Sequence, residues 1–195
     1  MQKWPVVQLV IIITIGSLLS PLAMAAPYYV GTAGCGCHKG EILDWSVSVH
    51  GKAFESLRPG VKKLEKARAK LDPDKDYTSD RKCLKCHTNG YRQKGGFMDL
   101  ASTPESAGVG CEMCHGPGSD YKILHDTQAD NLSAAQVKAA GQRYGSEDIT
   151  VCTACHTHKD SPFQEDVHEK YRFDWKAALE KKRTYHQSQS FEFSF

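Results

Sequence analysis

Cys83-Leu84-Lys85-Cys86-His87, Cys111-Glu112-Met113-Cys114-His115 and Cys152-Thr153-Ala154-Cys155-His156 repeat one pattern three times. Two thiols three residues apart, followed directly by an imidazole, form the attachment pattern of a c-type haem. The spacing follows from the chemistry. Both thiols add across the haem vinyl groups as thioethers, and the next residue then lies under the porphyrin, where its imidazole binds iron. Eight cysteines also suggest a four-disulfide scaffold or a pair of zinc sites. Histidine follows a given cysteine by chance ~5% of the time, so three coincidences sit on the order of 1 in 10,000 under either of those readings.

A fourth pair is irregular. Cys35-Gly36-Cys37-His38 has one residue between its cysteines, not two. A haem could hang from both cysteines in altered geometry, from Cys37 alone, or not at all. The flanks favour a haem, because His38 follows directly and a helix-like segment with its own histidine comes next.

The chain has nine histidines. His38, His87, His115 and His156 are the proximal candidates. His50, His125, His158, His168 and His186 remain. Leu43, Val47, His50 and Phe54 recur at helical spacing, which puts His50 on an apolar stripe as a distal ligand. Trp175, Leu179 and His186 share a helical face in the same way. His125 lies ten residues after His115, beyond the turn Gly116-Pro117-Gly118, a reach that suits ligation of a neighbouring haem. His158 is held close to His156, and His168 opens a charged segment.

At 195 residues the chain is one ordinary domain. Lys3, the apolar run Val6 to Leu19 and Ala23-Met24-Ala25 read as a cleaved secretory signal over residues 1–25, leaving a single domain over residues 26–195 in the periplasm. The apolar run is short for a membrane span, and the alternative reading is an uncleaved N-terminal anchor. Without Lys3 the charges are 24 basic against 23 acidic, or +1, which is no nucleic-acid footprint. No strand alternation is evident. The fold class expected is mainly α with extensive loops, the haems forming much of the core. Helices are expected around His50, from Val61 to Leu71, after a capping box at Ser133 and Gln136, and over 166–186. The Lys-rich face of the second reads as solvated. Residues 88–110 read as loop, with a tight turn at Lys94-Gly95-Gly96. A chain this short has little apolar core of its own, so the haem-free protein should fold poorly.

The chain resembles the tetrahaem cytochrome c-554 family of ammonia-oxidising bacteria, the electron acceptor of hydroxylamine oxidoreductase. The resemblance is carried by Ala53-Phe54-Glu55-Ser56-Leu57, Lys70-Leu71-Asp72-Pro73 through Lys75-Asp76-Tyr77-Thr78, Gln93-Lys94-Gly95-Gly96, and Gly108-Val109-Gly110-Cys111 through Cys114-His115-Gly116-Pro117-Gly118. It implies four covalent c-type haems attached at Cys35/Cys37, Cys83/Cys86, Cys111/Cys114 and Cys152/Cys155. It pairs His38 with His125, His115 with His50, and His156 with His186, and it leaves the haem on His87 without a protein distal ligand. It implies electron transfer from a hydroxylamine-oxidising enzyme towards a quinone-linked or small cytochrome acceptor. The open iron also raises a rival reading, reduction of nitric oxide or a related small nitrogen compound. Three departures stand out. The family's first leading cysteine falls at Gly34. The segment from His156 to Tyr171 is shorter, with Ser161-Pro162-Phe163 as its nearest match and His168 close by. Only nine residues follow His186.

Overall fold

Glycine, proline and polar punctuation recur along this chain, and its helices are correspondingly short. The computed structural model describes residue 2, residues 25–128 and residues 132–182. Most of the expected signal segment and His186 lie outside the described residues. The helices are α1 (Gly31–Gly34), α2 (Lys39–Val47), α3 (Lys63–Arg68), α4 (Arg81–His87), α5 (Cys111–His115), α6 (Ser119–Gln128), α7 (Ala134–Ala139), α8 (Thr150–His156) and α9 (Trp175–Lys182). Short 3-10 turns cover Phe54–Leu57, Pro104–Ser106 and Glu169–Tyr171. Among the described residues there is no strand, only an isolated antiparallel bridge from Thr88 to Ala107. The architecture is mainly helical with long loops, as the sequence implies. No described helix is long and apolar enough to cross a membrane.

The apolar core is small. Phe54, Leu57, Tyr77, Leu84 and Phe97 form it, with Leu71, Cys83, Tyr91 and Ala107 packed against it. Phe54 and Phe97 meet at 5.6 Å between ring centroids. Leu84 belongs to α4, so the second attachment motif is seated on this core. The N-terminal segment is tied down from elsewhere in the chain. Tyr29 N–H donates to Lys94 O at 2.9 Å, and Tyr28 exchanges hydrogen bonds with Ser119.

Several expected helices are shorter than their periodicity. The stripe through His50 ends early, because α2 stops at Val47 and His50 lies in the following turn. Two residues cause the stop. Ser48 Oγ accepts from Gly51 N–H at 3.1 Å, and Gly51 packs so close to Trp45 that a Cβ there would lie 2.3 Å from Trp45 O. Leu43 and Val47 are therefore 64% and 65% exposed, while Phe54 is buried. The helix expected from Val61 to Leu71 is confined to α3, and its Lys-rich face is not wholly solvated. Lys66 is 4% exposed, and its ammonium donates to Arg58 O at 2.6 Å. The last helix is divided, with the Glu169–Tyr171 turn set apart from α9. The capping box at Ser133 and Gln136 and the turn at Gln93-Lys94-Gly95-Gly96 form as expected.

Candidate haem sites

Each regular motif ends an α-helix. Cys83 to His87 close α4, Cys111 to His115 make up α5, and Cys152 to His156 close α8. At 3.6 residues per turn, cysteines three apart share one helix face, with the histidine beside the second cysteine. The Asp80 carboxylate caps α4, accepting from Lys82 N–H at 2.9 Å. All eight thiols are unbridged.

Two proximal imidazoles are oriented by backbone. His87 Nδ1 lies 2.8 Å from Ala53 O, and His115 Nδ1 lies 3.2 Å from Arg143 O. A carbonyl only accepts, so the proton sits on Nδ1 and Nε2 keeps its lone pair for a metal. Burial holds His87 and His156 below the usual imidazole range, the neutral form that ligation needs. His156 also stacks on Phe173 at 4.7 Å.

His50 stands at a junction. Its carbonyl accepts from Val109 N–H at 3.0 Å, and Trp45 Nε1 donates to Val109 O at 2.7 Å, which clamps this turn to the entrance of the third motif. Its ring meets that of His156 at 6.0 Å between centroids. Burial, then the neighbouring His156, lowers its pKa. His125, on α6, is lowered by burial and then by the nearby His38. His158 and His168 have the opposite polarity. Their Nδ1 atoms accept backbone N–H from Asp160 and Lys170, each at 3.1 Å.

The cysteines bring the motifs into sequence. Cys35 lies beside Cys111, and Cys86 beside Cys155, close enough for each pair of thiols to interact, which pushes Cys35 and Cys155 up and Cys111 and Cys86 down. Cys114 and Cys152 are close enough that the charge of Cys152 adds to burial in raising Cys114. The motifs thus follow one another in the order first, third, fourth, second. The donor set of paired thiols with an adjacent imidazole fits a c-type haem at each of the three helical motifs. The first motif departs from this geometry. Cys35 to Cys37 form a turn after α1, and His38 stands at the N-cap of α2.

Sequence reasoning missed Glu112. It lies between the two cysteines of the third motif and is 1% exposed. Its carboxylate accepts from Val30 N–H (2.8 Å), Gly31 N–H (2.9 Å), Gly118 N–H (2.8 Å) and Asn89 Nδ2 (2.9 Å). The available signal was Gly118, where a Cβ would lie 3.0 Å from the carboxylate. Periodicity carries no such information.

The family described as cytochrome c554 and c-prime matches residues 34–116. The chain is similar to cytochrome c-554 of Nitrosomonas europaea, with 34% identity over 189 residues, covering 88% of this chain and 80% of that protein. The solved structure of the reduced state of that organism's cytochrome c554 superposes with a TM-score of 0.72 at 35% identity, covering 80% of this chain and 84% of the other.

Proposed function

Because the chain belongs to the cytochrome c-554 family, and is therefore a multihaem c-type cytochrome with covalently bound haem c, we propose that it is a periplasmic four-haem electron carrier. The observation that carries this reading is the packing of α1 on α5 and of α5 on α8, which sets the first, third and fourth motifs side by side. Each bound haem would supply an iron that cycles between ferric and ferrous states. The chain's own task is to hold those irons in one short file and to tune them.

In this proposal Cys35, Cys37, Cys83, Cys86, Cys111, Cys114, Cys152 and Cys155 carry four haems, with His38, His87, His115 and His156 as proximal ligands. His125 faces His38, His50 serves the third motif to which its backbone is clamped, and His186 serves the fourth. The mature domain is residues 26–195 after removal of a signal over residues 1–25. The donor is a hydroxylamine-oxidising enzyme, and the acceptor is a quinone-linked or small cytochrome.

Intact mass and haemochrome spectrum of the exported protein test the first half. A mass equal to the mature chain plus four haems supports it, and a shortfall of one haem removes the leading motif from the path. Stopped-flow reduction by the purified donor enzyme and hydroxylamine tests the second half. Reduction no faster than that of an unrelated cytochrome would sink the assignment of donor.

One observation favours a second role at His87. The remaining described candidates, His158 and His168, both accept through Nδ1, so in the neutral form each carries its proton on Nε2 and has no free lone pair for iron. An open iron there would bind nitric oxide and reduce it. A high-spin signal that nitric oxide abolishes, with turnover under reductant, supports this role; a wholly low-spin spectrum rejects it.

A further inference from the structure

We propose that Glu112 is a positioning residue that sets the reduction potential of the haem on the third motif and holds the first motif against it. This rests on the haem assignment above. The carboxylate receives four N–H donors and no other partner among the described contacts. The four donors come from three stretches, each beside a motif or a candidate ligand. Val30 and Gly31 lead into α1 and the first motif. Gly118 opens α6, which carries His125. Asn89 follows His87 by two residues, beyond the second motif.

This is a poor site for a charge chosen only for stability. A buried carboxylate loses its hydration and has to recover it from fixed dipoles. Here the surroundings provide three backbone N–H groups and one amide, all rigidly placed. The result is a fixed negative charge, screened by directed dipoles rather than by mobile water. Its charge is felt beyond the third motif, since it adds to burial in raising the hydroxyls of Tyr29 and Tyr121.

A negative charge beside a haem stabilises the ferric iron over the ferrous and lowers its potential. Net charge, burial and hydrogen bonding are the levers by which a protein tunes such a centre. The four donors then set how much of that charge is felt. Removing the charge should raise the potential, and removing a donor should lower it.

The test uses the whole matured protein. Intact mass first counts the haems, which checks the haem assignment independently. Spectroelectrochemical titration then gives the midpoint of each haem. In Glu112→Gln, with its full haem complement, one midpoint should rise by about tenfold in the ferrous-to-ferric ratio at fixed potential, which is about 59 mV for one electron. In Asn89→Ala, which keeps the charge but removes its side-chain donor, the same midpoint should move downward by a smaller amount. A residue that only held the fold together would give no such opposite signs. Unchanged midpoints in a fully loaded Glu112→Gln protein, or shifts of the same sign in both variants, overturn the proposal. If Glu112→Gln fails to mature, Asn89→Ala decides alone: a downward shift supports it and no shift rejects it. A haem shortfall in the unaltered protein would instead remove the haem assignment.

Discussion

The first and second cysteine-histidine motifs stand on different backbones. The second ends a capped α-helix, with Leu84 and Cys83 set into the apolar core and the His87 ring fixed by Ala53. The first has no helix beneath its cysteines. It turns between α1 and α2, with Cys37 exposed and Cys35 half-buried against Cys111. The lesson is that the two-residue gap of the regular motif is a property of the helix. Once the helix ends before the cysteines, the gap loses its geometric reason, and His38 is placed instead by the start of the next helix.

Breaking the core should separate the two motifs most widely. Phe97 is 1% exposed and packs on Phe54, so Phe97→Ala should cost about 3–5 kcal/mol in denaturant melts of the matured protein. It should also reduce haem occupancy at the second motif while leaving the first occupied, as peptide mass mapping would read. Equal loss at both motifs would show that they share one support.

Restoring the family's cysteine position gives the next effect. A Cβ at Gly34 would lie 2.5 Å from Val30 Cγ2. The double change Gly34→Cys with Cys35→Ser should therefore cost about 1–3 kcal/mol of stability from overpacking. Adding Val30→Ala should recover most of that loss. No recovery would mean that the turn, not Val30, opposes the regular spacing.

The helix cap sharpens the contrast at lower amplitude. Asp80→Ala removes the acceptor for Lys82 N–H at the start of α4 and should cost about 1 kcal/mol. The first motif has no equivalent, because neither α1 nor α2 has a side-chain cap bond. The smallest effect should come from His168→Ala. It removes a cap on the Glu169–Tyr171 turn and should leave the spin state of the haem on His87 unchanged by electron paramagnetic resonance. A low-spin signal lost in this variant would make His168 the missing ligand.

The sequence made the three helical motifs legible because their chemistry fixes both residue type and spacing. Ser133 and Gln136 were legible for a similar reason, since a capping box is local. The limits of α2 were not. Periodicity through Leu43, Val47 and His50 continued past a stop that depends on Gly51 folding back onto Trp45, and a missing Cβ leaves no mark on an apolar pattern. Glu112 was illegible for a deeper reason. Three of its four donors lie outside its own helix and its neighbouring turn, at Val30, Gly31 and Asn89, so nothing local announces that this carboxylate is buried.

The contact between Val30 and Glu112 also imposes an order in time. The two residues are 82 positions apart, so this anchor of the segment ahead of the first motif, unlike the Tyr29 bond to Lys94, does not exist until the third motif has been synthesised. Local contacts form early and distant ones wait for the chain that completes them. Cys35 and Cys37 are therefore the earliest thiols to emerge, and the segment ahead of them is fully anchored only once the third motif has appeared. Whatever machinery joins haem to this chain meets them while they are still on an open strand, where the absence of a helix is no handicap.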